Sequence, residues 1–291
     1  HMILQSLLMV TLLAADLDIT AAAYGDYLGY EVVQTGIITE TCAGQMGNPS
    51  MMGRGYINMS PPKGELNVVL RFIEGSSASY EPMQTAGWNA VELLAQDPDV
   101  LRSQMDGSPF KVIGVPAYLT AAKKIYAMQV QGPSGELLYL THMLDPQSSL
   151  LKPEASKAPI GNTFIMVLGS SDLSETRLFV EGVFGNTLTD PLPFKIDVLA
   201  KARGETQDTL YPIMMMKFSG PFGFEFDQYG KGVDKQQSTG GIILVSASVD
   251  SLNSTITSLD GTPATSSCPG IQGQSELVSF PSGALLELVA P

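Results

Sequence analysis

The chain repeats itself at long range. Pro133-Ser134-Gly135-Glu136-Leu137-Leu138-Tyr139-Leu140 returns 148 residues later as Pro281-Ser282-Gly283-Ala284-Leu285-Leu286-Glu287-Leu288. In both copies a Pro-Ser-Gly turn releases the chain into a short apolar run that reads as a strand. Self-similarity at a fixed offset points to a fold built from repeated units that bury their apolar faces against one another. A second marker divides each half again. Acidic turns at Asp16, Asp97, Asp172 and Asp250 each follow an apolar strand-like run, at intervals of 81, 75 and 78 residues. Four modules of similar length result, with strand, helix, strand, strand, strand as the recurring order.

Module one opens with a strand at Leu7–Leu13, a helix at Ile19–Leu28 ended by Gly29, and strands at Tyr30–Gly36, Gly55–Met59 and Leu66–Ile73. Module two reads as a strand at Trp88–Ala95, a helix at Val100–Met105 and strands at Lys111–Val115, Ile125–Val130 and Leu137–Thr141. Module three reads as a strand at Phe164–Leu168, a helix at Glu175–Phe184 and strands at Phe194–Ala202, Tyr211–Phe218 and Gly223–Phe226. Module four reads as a strand at Ile242–Ala247, a shorter helix at Leu252–Leu259 and strands at Glu276–Phe280 and Ala284–Val289. Leu144–Ala158 is rich in Pro, Ser and charge and reads as a linker. The expected domains are therefore 3–147 and 160–291, joined through 148–159.

Composition narrows the partners. Formal charge is −13, from 29 acidic and 16 basic residues, which disfavours phosphate backbones, so no nucleic acid is expected. Cys42 and Cys268 fall in different expected domains, so a bridge between them is not expected and a reducing, cytoplasmic setting is. The apolar run Ile3–Ala15 is too short to span a bilayer and reads as a buried barrel strand, so no membrane partner is expected. His1-Met2 reads as a remnant of a cleaved tag.

The strand–helix–strand–strand–strand module used in pairs, with Asp16-Leu17-Asp18 and Tyr24-Gly25-Asp26-Tyr27-Leu28-Gly29-Tyr30 after the first strand and Pro-Ser-Gly-x-Leu-Leu-x-Leu before the last, resembles the vicinal oxygen chelate family. That family includes glyoxalase I, extradiol dioxygenases and bleomycin-resistance proteins. The resemblance covers nearly the whole chain and implies an α+β fold with two half-open β-barrels, each holding a ligand against its concave face. Metal-bearing members usually place a His on the first strand of a module and a Glu on the last. Here the resemblance puts the His position near Met9, Asn89, Phe164 or Ile165, and Ile242, and the Glu position at Arg71, Tyr139, Glu225 and Glu287. Two of four carboxylates remain and no imidazole does. Apart from His1, the chain has only His142, which strand alternation turns away from the face of Tyr139 and Thr141. The expectation is no metal and no other cofactor.

Glu287, Glu225 and Tyr139 are the candidate catalytic residues, because a carboxyl facing an apolar cup resists ionisation and can exchange a proton near neutral pH. A register slip of one residue would instead leave the acids in water at the rim. Arg71 and Asn89 suit a carboxylate, enolate or carbonyl oxygen. Trp88, Tyr56, Met59, Met214 and Met216 complete the expected lining, Met being adaptable to irregular apolar ligands. The resulting expectation is a metal-independent lyase or isomerase acting on an apolar, cyclic or aromatic carbonyl compound. The alternative is a non-catalytic binding protein of the bleomycin-resistance type. With four modules in one chain, both monomer and homodimer stay open.

Overall fold

A computed structural model describes residues 1–76, 80–230, 233–234, 241–252 and 263–290. Module one contains β1 (Leu4–Ala14), α1 (Leu17–Leu28), β2 (Glu31–Ile37), α2 (Glu40–Gln45), β3 (Gly55–Ser60) and β4 (Val69–Glu74). Module two contains β5 (Gly87–Ala95), α3 (Pro98–Gln104), β6 (Lys111–Tyr118), β7 (Ile125–Gln131) and β8 (Leu137–Met143). Module three contains β9 (Ile160–Ser170), α4 (Leu173–Val183), β10 (Thr187–Leu188), β11 (Leu192–Lys195), α5 (Asp197–Ala202), β12 (Leu210–Lys217) and β13 (Gly223–Gln228). Module four contains β14 (Ile242–Val249), β15 (Ala264–Thr265), β16 (Gln274–Ser279) and β17 (Leu285–Ala290). The expected helix Leu252–Leu259 falls almost wholly outside the described residues.

The repeated markers have physical jobs. Asp16, Asp97 and Asp172 are the N-caps of α1, α3 and α4, their carboxylates accepting from Ile19, from Asp99 and Val100, and from Ser174. Gly29 ends α1 at φ 72°. The two Pro-Ser-Gly turns are the same structure twice. Gly135 has φ 89° and Gly283 φ 86°, and each turn is closed by paired backbone bonds, Gly132 N–H to Glu136 and Phe280 N–H to Ala284.

The strands form two sheets. One runs β15-β16-β17-β14-β1-β4-β3-β2 and joins modules one and four; we call it the outer sheet. The other runs β10-β12-β13-β9-β5-β8-β7-β6, with β11 beside β12, and joins modules two and three; this is the inner sheet. Each sheet thus takes one module from either side of residues 148–159, and the half-barrels do not coincide with the halves of the chain. The junctions are antiparallel, β1 on β14 and β5 on β9.

The helices and one face of each sheet share a single core. Tyr24 of α1 packs on Phe72 of β4 and on Phe110, and its hydroxyl donates to Glu136 at 2.9 Å. Trp88 of β5 crosses between the sheets, its indole N–H donating to the carbonyl of Leu285 at 2.8 Å. The opposite face of each sheet is concave and forms a cup. Met2 is buried and bridges to Phe184.

Two sequence expectations fail at this level. Cys42 and Cys268 form a disulfide, with Cα atoms 4.8 Å apart. Joining modules one and four in one sheet brings together residues 226 apart, which a reading by halves cannot foresee. The reducing setting inferred from unbridged cysteines loses that support. The stretch Phe194–Ala202 is not one strand: it is the end of β11 followed by α5. Among the described residues no helix is long and apolar enough to cross a membrane.

Candidate functional site

Parallel pairing within each module fixes which residues meet at the floor of each cup. Thr11 lies opposite Arg71, Glu92 opposite Tyr139, Val167 opposite Glu225, and Ser246 opposite Glu287. Thr11, Arg71, Ser246 and Glu287 therefore centre the outer cup, and Glu92, Tyr139, Val167 and Glu225 the inner one. Reading the chain by halves groups Arg71 with Asn89 and Tyr139, and Glu225 with Glu287. The exchange of modules between sheets separates both groups.

The outer cup is closed. Arg71 is 1% exposed as a residue, and its guanidinium donates through Nε to Asn58 Oδ1 at 3.1 Å and through Nη2 to the backbone oxygen of Pro269. Asn58 in turn donates to Gln34 at 3.0 Å. Ser246 donates to Glu287 at 2.6 Å. Burial raises the Glu287 carboxyl, against the Ser246 hydrogen bond and the Arg71 charge, while burial lowers Arg71 to about 10. Cys42, Ala43, Met46 and Met51 on and after α2 pack down onto Leu13, Ile73, Tyr56 and Leu277. The disulfide ties that cover to the segment that carries Pro269.

The central residues of the inner cup are more acidic and slightly less buried. Glu92 of β5 and Thr141 of β8 are linked by a 2.7 Å hydrogen bond donated by the threonine. Burial first, and the charge of Glu225 second, push the Glu92 carboxyl up to about 8. Glu225 and Asp227 alternate onto the same face of β13 and interact directly; burial raises both, and their mutual hydrogen bond raises Glu225 and lowers Asp227. Glu225 remains partly exposed. Asp227 Oδ1 and the Tyr229 hydroxyl are buried without a hydrogen-bond partner. Burial, reinforced by Asp227, drives the Tyr139 and Tyr229 phenols well above their usual range. The cover is α5, whose Val198, Leu199 and Ala200 pack with Tyr139, Ile165, Val167 and Tyr229, and no disulfide ties it down.

The remaining sequence-named residues divide by strand parity. Tyr56 lies in the outer cup, 5.8 Å from the Arg71 guanidinium. Asn89 sits at a bulge in β5, where its Oδ1 accepts from Met83 N–H at 2.7 Å. Trp88, Met59, Met214 and Met216 are not in either cup: they are buried in the core between the sheets. Residues that sequence reasoning misses are Glu92, Asp227, Thr11 and Ser246. Glu92 is findable as the one charge inside the otherwise uncharged strand Gly87–Ala95, and Asp227 as the acid two positions after Glu225.

The donor set does not fit the metal centre associated with this kind of barrel. A guanidinium stands at one central position of the outer cup and a valine at one of the inner. Among the described residues no group of three or more His, Cys, Asp and Glu is arranged to hold a metal ion.

Paired modules curling into two half-barrels, with ligand-bearing positions repeated on first and last strands, are the architecture of the vicinal oxygen chelate fold, and this chain has it in its four-module form. Glyoxalase I from Zea mays superposes with a TM-score of 0.65 at 15% identity, over 98% of this chain and 92% of that one. A protein of Bacillus subtilis subsp. subtilis str. 168, described as a candidate dioxygenase, also superposes at 0.65, with 9% identity, over 100% of this chain and 86% of that one. No family model matches the sequence, and no curated protein matches it either. At these identities the likeness establishes the fold and leaves the chemistry to the residues in the cups.

Proposed function

We propose that the inner cup is the working site and that the protein is a metal-independent lyase or isomerase. It would move a proton next to the carbonyl of a small apolar, cyclic or aromatic molecule. The observation that carries this reading is the grouping of Glu92, Glu225 and Asp227 among apolar side chains, with Glu225 partly exposed. Carboxyls that stay protonated toward neutral pH can both give and take a proton there, which is the requirement for general acid–base work without a Lewis acid. Tyr139 would donate a hydrogen bond to the developing oxyanion. The outer cup, with Arg71 and Glu287 already hydrogen-bonded and covered, is the structural counterpart in this reading.

Deuterium exchange tests the reading across a range of chemically simple carbonyl compounds. Chelator-dialysed protein in D₂O is incubated with a panel of cyclic and aryl ketones, and loss of the C–H signal next to the carbonyl is followed by NMR. The wild type is expected to exchange at least one panel member, Glu92→Gln and Glu225→Gln to lose at least 100-fold of that rate, and Glu287→Gln to retain it. Exchange that follows added metal, or that survives both inner-cup substitutions, refutes it. A non-catalytic binding role is the second reading, favoured by the Ile165, Val167 and Leu137 lining, and it predicts saturable ligand binding with no exchange at all.

A further inference from the structure

The titratable side chains on the four strands that floor the inner cup are strongly one-sided. Glu92 comes from β5, Tyr139 from β8, and Glu225 and Asp227 from β13; β9 contributes none, and His142 turns away to the carbonyl of Ala95. No lysine or arginine lies on these strands. Around the acids stand phenol rings. Tyr229 folds over β9 where Gly169 leaves room, since a Cβ at 169 would lie 2.2 Å from its ring. Tyr80 is anchored by its hydroxyl on the Trp88 carbonyl at 2.8 Å and acts electrostatically on both Tyr139 and Tyr229. One of these rings already carries a cation: the Arg203 guanidinium lies 5.4 Å from the Tyr229 centroid, held by Glu205 and by the Tyr229 carbonyl.

We propose that the inner cup takes an organic cation, a protonated amine or amidine carried on an apolar body. This rests on reading the inner cup as the working site. Asp227 Oδ1, 1% exposed in its residue, and the Tyr229 hydroxyl are both buried and lack a hydrogen-bond partner, so the cup presents an unused acceptor beside an unused hydroxyl. A neutral carbonyl ligand would satisfy the hydroxyl and leave the carboxylate oxygen bare. An anion would add negative charge beside the coupled Glu225–Asp227 pair, raising both carboxyls further and finding no lysine or arginine on these strands. An ammonium or amidinium donates to Asp227 and rests on the phenol faces, which attract cations through the ring quadrupole. A net charge of −13 also raises the cation concentration at the surface. Because the acids hold protons in the empty cup, a bound cation should expel at least part of one.

Isothermal titration of the full chain at pH 7 with benzylamine, benzyl alcohol and benzoate, each in phosphate and in Tris, tests this. Benzylamine is expected to bind at least tenfold more tightly than benzyl alcohol, with proton release seen as a buffer-dependent heat, and benzoate not to bind. Asp227→Asn is expected to weaken benzylamine at least tenfold and abolish the release; Tyr229→Phe, which keeps the ring, is expected to weaken it less than Asp227→Asn; Glu287→Gln is expected to change nothing. Equal binding of alcohol and amine, binding without proton release, an equal loss in Glu287→Gln, or no binding by any probe overturns the proposal. Amine binding in a protein that exchanges no C–H would retain the ligand class and remove the reaction. Exchange of neutral ketones without amine binding would do the opposite.

Discussion

Replacing Glu92 by Gln should flatten part of the dependence of stability on pH. The Glu92 carboxyl has an ordinary value of 4.5 and is pushed up to about 8 in the folded chain, with burial the main cause. A folded carboxyl with a raised value binds its proton more tightly than the unfolded chain does, so its contribution is fully present below pH 4.5. It is lost progressively as pH rises to 8. At about 1.4 kcal/mol per pH unit, that window amounts to about 5 kcal/mol. Glutamine keeps the shape and can still accept from Thr141. Glu92→Gln should therefore match the wild type within about 1 kcal/mol at pH 4.5 and exceed it by several kcal/mol at pH 9. Urea unfolding followed by the emission of Trp88, the single tryptophan, gives both curves. Glu287 is raised in both proteins and cancels in the difference, while removal of the Glu92 charge also relieves part of the rise in Asp227, which adds to the effect in the same direction. Parallel curves across pH 4.5 to 9 would mean that Glu92 ionises freely in the fold, and the account of the inner cup would fail.

Removing the bridge with Cys42→Ser and Cys268→Ser should lower stability by about 5 kcal/mol on the loop-closure relation, since the closed loop is 226 residues long. Calorimetry measures it, and an unchanged midpoint would show that packing alone holds the outer cover. Gly135→Ala and Gly283→Ala should each destabilise by about 1–2 kcal/mol, because both turns need a left-handed residue. Thermal melts of the two single variants should agree; a large effect in one copy alone would contradict the equivalence of the turns.

Much of this fold is written locally in the sequence. Asp16, Asp97 and Asp172 mark helix starts because a carboxylate one position before a helix satisfies its orphan N–H groups, and the Pro-Ser-Gly copies mark the last strands of modules two and four. Which modules share a sheet is not local information: β1 pairs with β14 across more than two hundred residues, and nothing in either strand states it. That gap accounts for the misreading of Cys42 and Cys268 and the regrouping of Arg71 with Glu287. Site legibility follows register. Last-strand positions counted from the turn glycine reach Tyr139 and Glu287 correctly, whereas first-strand positions counted back about eight residues from the helix cap land near Met9 and Asn89 instead of Thr11 and Glu92, which each stand 5 residues before the caps Asp16 and Asp97. Residue type alone assigns Met59, Met214 and Met216 to the cup, and parity turns them inward.

The nesting of one sheet inside the other also orders assembly in time. Every strand of the inner sheet lies between Gly87 and Gln228, so all of it has been synthesised before β14 leaves the ribosome. The strand β1 is made first, yet its β14 edge must wait for the C-terminal module, and Cys42 must wait with it for Cys268. The nascent chain thus completes the sheet that carries the inner cup while its first-made strand is still an open edge, and a ribosome stalled in the last module would leave that edge as the point of vulnerability to aggregation.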